Sequence, residues 1–287
     1  MTPENDWQKH LHDSIQAACV LEATARKPGN VHPDASFDDV RYEDFVRSAE
    51  TVAPILAESR QLGVGRAILE AVAATRQTVG QNTNLGIILL IAPLAAVPEG
   101  TSLDEGIERV LSGLTIDDAR SCYEAISMAN PGGLGAASEQ DVGEQPTVTL
   151  REAMQMAADR DRVAQQYANG FQEVLRFGIS TLLEHPWESD WEQAVIALHI
   201  QLMAEFPDTL ILRKCGVQVA EESAWRAKRV LEAGWPFSDA GAVEIQRLDQ
   251  WLRADGHRRN PGTTADLVAA TLFAAFRDRR VLPGMPS

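Results

Sequence analysis

Basic residues are in short supply: 26 lysines and arginines stand against 41 acids, a formal net charge of -15. That balance argues against a nucleic acid or an anionic membrane as partner, since either needs a basic patch. A polyphosphate ligand stays open, because Mg2+ held by carboxylates can supply the positive charge. Cysteine is scarce too, with Cys19, Cys122 and Cys215 odd in number and far apart. Such spacing offers neither a zinc site nor a disulfide framework and suits a reducing, cytoplasmic setting. The longest apolar run stops at Val97 and contains Pro93, too short to span a bilayer. The opening M-T-P-E-N-D-W-Q-K-H carries acids and no apolar core, so no signal peptide is expected. Neither G-x-x-x-x-G-K-S/T nor a G-x-G-x-x-G after a strand occurs, so a nucleotide site would have to be built differently. Strand alternation, heptads and fixed-period repeats are missing as well. What remains is an all-α class, expected as one compact multi-helix domain over residues 1–287.

What is present centres on residues 78–86, T-V-G-Q-N-T-N-L-G, followed by the apolar stretch 87–97. This reads as a polar loop opening a buried helix. Asn82, Thr83 and Asn84 are suitable N-caps, and the free first amides of a helix can either be capped or hold a phosphate. A second copy of the arrangement lies at residues 260–276. There Pro261 and Gly262 turn the chain, Thr263 or Thr264 can cap, and Asp266 falls in the first turn of an Ala-rich helix. Asp266 either serves the helix dipole or holds a metal beside bound phosphates.

Helical periodicity also covers residues 7–26, 42–62, 64–76, 102–112, 116–128, 149–178, 187–206, 217–233 and 240–253. Glu22 lies on or beside the apolar face of the first helix, suiting a boundary salt bridge or a site. Lys27, Pro28, Gly29 and Asn30 then open a loop containing His32, Asp34, Asp38 and Asp39. Glu70 reads as an exposed helix acid or a site residue three turns before Asn82. Ser102 with Glu105, and Thr149 with Glu152, are spaced for capping boxes. Asp159, Arg160, Asp161 and Arg162 look like a solvated charged face. His199, on an apolar helix, is expected to be a core residue, and residues 210–212 are the best short strand candidate. The glycine-rich loop at Pro131, Gly132, Gly133 and Gly135 reads as a helix stop, with Glu139 and Asp141 beyond it. His257, Arg258 and Arg259 place positive charge just before Asn260.

Taken together these motifs resemble the triphosphoribosyl-dephospho-CoA synthase family, which is all-helical. Glu22, Lys27, Pro28 and Gly29 match its glutamate-bearing helix and K-P-G loop, and Asp39 keeps the family aspartate's spacing to Phe45. Asn82, Thr83 and Gly86 match its N-T-H-K-G loop. Asp208, Thr209, Arg213 and Gly216 are similar to D-T-N-x-x-x-R-G-G with one residue inserted. Pro261, Gly262, Ala265, Asp266 and Leu267 match the closing Pro-Gly loop and A-D-L-L-A. The resemblance implies transfer of the triphosphoribosyl group of ATP to the ribose 2'-hydroxyl of 3'-dephospho-CoA, with Mg2+ on the triphosphate. It makes Asp39, Glu22 and Glu70 the candidates for acid-base work, and Asp39 and Asp266 those for metal. For phosphate it points to Lys27, Asn82, Thr83, Asn84, Gly86, Arg213 and Thr263.

Two departures stand out. The family's His-Lys pair is Asn84-Leu85 here, and Phe37 and Asp38 replace the histidine before the aspartate. A lysine missing from a phosphate site removes a contact worth roughly 1.5–3 kcal/mol. The N-T-N-L-G loop resembles divergent members in archaea and in organisms with methanopterin-type one-carbon cofactors. A paralogue acting on another nucleotide-like cofactor, or a non-catalytic nucleotide-binding helical protein, are the alternative readings.

Overall fold

The structure, a computed structural model, describes residues 3–131 and 142–282. Gly132, Gly133, Leu134, Gly135, Glu139 and Asp141 lie outside the described residues. The chain runs α1 (Pro3–Thr24), α2 (Tyr42–Ala57), α3 (Ser59–Leu62), α4 (Val64–Val79), α5 (Leu85–Ala95), α6 (Leu103–Ser112) and α7 (Ile116–Ala129). It continues with α8 (Leu150–Ala157), α9 (Arg162–Asn169), a π-helical turn (Glu173–Gly178) and α10 (Ile179–Leu183). Then come α11 (Trp191–Glu205), α12 (Thr209–Cys215), α13 (Val217–Glu232), α14 (Asp239–Arg253), a short extended segment (Ala254–His257) and α15 (Gly262–Arg277). The all-α expectation is met.

Two helices form the axis because they are apolar all round, which only a fully buried helix tolerates. Every residue of α5 from Ile87 to Ala95 is buried, and so is α15 from Leu267 to Arg277. Burying a side chain such as Ile88, Leu90 or Phe273 stabilises by about 1.5–3 kcal/mol each. Helix α1 packs between α2 and α15, and α4 packs between α2 and α7. At the end of α15 the buried Arg277 donates to the carbonyls of Val97, Pro98 and Thr101 at 3.0, 2.9 and 2.7 Å. One guanidinium thereby satisfies three carbonyls of the connection between α5 and α6. A smaller apolar cluster joins α11, α13 and α14 through Ile200, Met203, Ala227, Val230, Leu248 and Leu252.

Several local expectations are corrected. Residues 210–212 are not a strand but part of α12. The buried Asp208 starts that helix, its Oδ1 accepting from the amides of Leu210 and Ile211 at 2.8 and 3.0 Å. The continuous helix expected over 149–178 is interrupted twice. Asp161 caps α9, and Gly170 and Phe171 take left-handed conformations at φ +71° and +62°. Thr149 and Glu152 do form their capping box, but Ser102 makes no side-chain cap; the Leu103 amide donates to Asp278 instead. Thr263 and Thr264 lie inside α15 rather than capping it. Helix 42–62 breaks at Glu58 into α2 and α3.

Asp208 also ties two helix starts together, since its Oδ2 accepts from the amide and hydroxyl of Thr264 at 2.7 and 2.8 Å. Burial pushes this carboxyl up and the four donors pull it down. Asp208→Asn would turn an NH2 toward either Thr264 or the first amides of α12, donor against donor. We expect a loss of about 1–3 kcal/mol in urea unfolding. An unchanged midpoint would show that the two helix starts do not depend on this carboxylate.

Candidate functional site

One cavity of about 710 Å3 opens where the starts of α5, α9 and α15 converge with the end of α1. Its size is in the ordinary range for small-molecule sites. Helix starts carry partial positive charge. The first amides of α9 are taken by Asp161 and the Thr264 amide of α15 by Asp208, so the α5 start is the one that faces the cavity without a carboxylate cap. Apolar lining comes from Tyr123, Ile126, Leu150, Met154 and Val163 of α7, α8 and α9. The cavity therefore has both charged and apolar lining.

Glu22, Asp39, Asn82, Thr83, Asn84, Gly86, Arg213, Thr263 and Asp266 all line it. These residues come from five parts of the chain, so the fold brings the two loop-and-helix copies face to face. Glu70 is left out: it stands on the outer face of α4, bound to Arg66 at 2.7 Å. Lys27 is left out as well. It is 0% exposed behind the cavity wall, where its ammonium donates to the Glu22 carboxylate at 2.9 Å and to the Glu22 main-chain carbonyl. Its positive charge is thus paired with Glu22, away from the cavity surface.

In the central loop Asn82 Oδ1 accepts from the Leu85 amide at 3.1 Å, and Thr83 shares a hydrogen bond with Ser48 at 2.6 Å. Asn84 is the N-cap residue of α5 without making a side-chain cap. The loop therefore leaves the amides of Gly86 and Ile87 without intrahelical partners, on the cavity wall.

Gly86 is where α5 meets α15. A Cβ built there would lie 2.0 Å from Asp266 Oδ2 and 2.4 Å from its Cγ. Only glycine permits this approach. Gly86→Ala should displace Asp266, costing about 1–3 kcal/mol in stability and weakening ligand binding together. A variant with wild-type thermal midpoint and wild-type ligand affinity would show that the contact is soft.

Asp266 itself forms no hydrogen bond or ion pair with a described residue. Its carboxyl is held well above the usual carboxylate range, first by burial and then by the charges of Glu22, Asp208 and Asp161, with Arg213 opposing. Asp39 stands at the exposed rim, 3.7 Å from His257 Nδ1, and the His257 ring rests on Phe37.

Two acids have roles that composition does not show: Asp161 on the cavity wall and Asp208 buried behind it. Asp161 belongs to a run that looks solvated, yet it caps α9 and binds Arg213 at 2.5 Å. Asp208, known only as a motif match, fixes α12 and α15. Of the three bases before Asn260, only His257 reaches the cavity. Arg258 donates to the Lys214 carbonyl and Arg259 stacks on Trp251. His199 is a core residue, held neutral by burial and, secondarily, by the nearby Lys27 charge.

Comparison with known proteins adds an independent line. The family model described as ATP:dephospho-CoA triphosphoribosyl transferase (CitG) matches residues 8–282. A Pseudomonas syringae pv. tomato protein provisionally named 2-(5''-triphosphoribosyl)-3'-dephosphocoenzyme-A synthase is 28% identical over 207 residues, 69% of this chain and 61% of that protein. The Klebsiella pneumoniae 2-(5''-triphosphoribosyl)-3'-dephosphocoenzyme-A synthase is 32% identical over 105 residues, 36% of this chain and 37% of its own. The matches thus span less than two thirds of these relatives' lengths. A crystal structure from Archaeoglobus fulgidus, provisionally a triphosphoribosyl-dephospho-CoA synthase, superposes with a TM-score of 0.64 at 26% identity. It covers 80% of this chain and 97% of the other.

Proposed function

The chain belongs to the ATP:dephospho-CoA triphosphoribosyl transferase (CitG) family, and from that premise we propose that it moves the triphosphoribosyl group of ATP to the ribose 2'-hydroxyl of 3'-dephospho-CoA. In this reaction the bond from ribose C1' to adenine N9 breaks and a bond from C1' to the acceptor oxygen forms. The electron pair of the broken bond leaves with adenine, and the proton given up by the hydroxyl to a carboxylate is balanced by the one proton that adenine takes up, directly or through water. The observation that carries the reading is the gathering of Glu22, Asp39, Asp266, Arg213 and residues 82–86 around one cavity.

The residues fit a bound Mg2+. Asp266 is an unpartnered carboxylate whose ionisation is opposed by burial and by Glu22, and a divalent cation would relieve that. Among the described residues no three acids, histidines or cysteines form a closed metal cage. Mg2+ does not require one, since it usually takes one or two carboxylates and completes its shell with water and substrate phosphates. We assign Asp266 and Glu22 to hold it. When bound, the ion would neutralise the triphosphate charge.

The chain's own groups do the rest. The amides at the start of α5 and the Arg213 guanidinium, fixed by Asp161, bind phosphate oxygens. Asp39, at the rim, accepts the proton of the incoming hydroxyl in this reading. Negative charge on Glu22 and Asp39 favours the positive charge that grows at C1' as adenine departs. The apolar lining at Tyr123 and Met154 suits an adenine ring or a pantetheine arm.

Purified protein incubated with ATP, Mg2+ and 3'-dephospho-CoA, with adenine followed by chromatography, tests this. Adenine formed only when the acceptor is present supports the transferase. ATP and Mg2+ bound without adenine release would point to a different acceptor, and absence of ATP binding would sink the reading.

A further inference from the structure

The central loop has no cation, since Asn84 and Leu85 stand where a lysine would be expected on a triphosphate. Neither nearby arginine makes good the loss. Arg76 donates to the Met128 carbonyl at 2.8 Å and does not line the cavity, while Arg258 is turned onto the Lys214 carbonyl at 3.1 Å. Four basic side chains do line it: Arg160, Arg213, Lys214 and His257. Three of them are occupied. Arg160 holds the Met156 carbonyl at 3.1 Å and lies 3.8 Å from Asp159, Arg213 holds Asp161, and His257 lies against Asp39.

Lys214 differs from all of these. Its ammonium is half-buried on the cavity wall and has no hydrogen-bond or ion-pair partner among the described residues. We propose that Lys214 is the cation that binds the polyphosphate chain of the nucleotide, supplying from α12 the charge that the central loop lacks. This rests on the reading that the cleft takes a nucleoside triphosphate.

The position of Lys214 is set by the fold. Asp208 fixes the start of α12, and the Arg258 contact fixes the Lys214 carbonyl at its end. Arg213 and Lys214 are adjacent, so two positive groups face one cavity, the first immobilised by Asp161 and the second free to close on a ligand. Burial first, and then the Arg213 charge, push the Lys214 ammonium below the usual lysine range, with Cys215, Asp208 and Asp39 opposing. An anion bridging the two cations would offset both costs. A lysine with no ion pair among the described residues, beside an arginine fixed by Asp161 and lining the same cavity as the open α5 start, is built for an anion rather than for stability.

Calorimetric titration of the full-length protein with ATP, and separately with inorganic tripolyphosphate, tests the assignment. Lys214→Met should raise Kd for both by roughly 10- to 150-fold, the range of a charge-assisted contact. Lys214→Arg should keep most of the affinity. Lys228→Met, which removes an exposed charge on α13, should change neither. With the transferase assay, Lys214→Met should raise KM for ATP more than it lowers kcat, and the thermal midpoint should not fall. Wild-type affinity for tripolyphosphate in Lys214→Met overturns the assignment while leaving the transferase reading intact. A wild-type protein that binds neither ligand removes both, and the two failures are told apart by the wild-type titration alone.

Discussion

Lys27→Met is expected to lower the unfolding free energy by about 3–5 kcal/mol, on the order of 10 °C in thermal midpoint, although it replaces a charged side chain by an apolar one of similar length. The reason is what it leaves behind. Glu22 is 4% exposed, and Lys27 donates to its carboxylate as well as to the main-chain carbonyls of Glu22 and Ala25. Removing the ammonium strands a buried carboxylate and orphans carbonyls at the end of α1. The Lys27→Met/Glu22→Gln double variant should recover much of the loss, since pairing a charge in the interior gains little over a neutral pair. If the single variant unfolds with wild-type urea dependence, the pair does not support α1. Activity gives a second readout. Glu22 also faces the cavity, so the double variant, though stable, should bind Mg2+ and ATP poorly. A simple phosphate-binding role for Lys27 predicts the reverse order, with affinity lost first and stability retained.

Helices α5 and α15 were legible because their residues are apolar on every face, and the polar turns before them announced helix starts. That both starts, with Glu22 and Asp39, meet in one cavity was readable only through motif resemblance. No periodicity links residues 22, 39, 86 and 266. Glu70 had a visible explanation outside the site, since Arg66 lies four residues before it on the same helix. Glu22 and Lys27 did not, because a contact five residues apart forms only when the chain turns back beyond a helix end. Residues 210–212 read as a strand by their branched apolar side chains. A single buried carboxylate, Asp208, outweighed that propensity by capping a helix there. Asp161 was hidden by composition: in a run of alternating charge a cap looks the same as a solvated acid until Arg213 arrives from residue distance 52 along the chain. Lys214 was invisible for the converse reason, as being unpaired is a property of the folded surroundings.

The second large effect is expected at Asp266, and it separates function from stability by sign. Asp266→Asn should reduce adenine release by about 100-fold or more, the scale of losing a group that acts on the charge of the reacting centre. The same variant should be more stable than the wild type at neutral pH in the presence of a chelator. The carboxyl's folded-state pKa lies well above its ordinary value because of burial, Glu22 and Asp208. A raised pKa in an acid means that the native state binds the proton more tightly than the unfolded chain does. Ionisation therefore subtracts stability above the folded-state pKa, and the penalty is relieved as pH falls through that value. The amide is neutral throughout, so its advantage in thermal midpoint should be largest at neutral to alkaline pH and shrink on acidification. Mg2+ with ATP should reverse the order, stabilising the wild type by linkage and the variant far less. A carboxylate kept only to complement the dipole of α15 would give the opposite signature, with the variant less stable at neutral pH and its turnover little changed. Measuring both proteins across pH with and without Mg2+ thus decides whether Asp266 is retained for the fold or in spite of it.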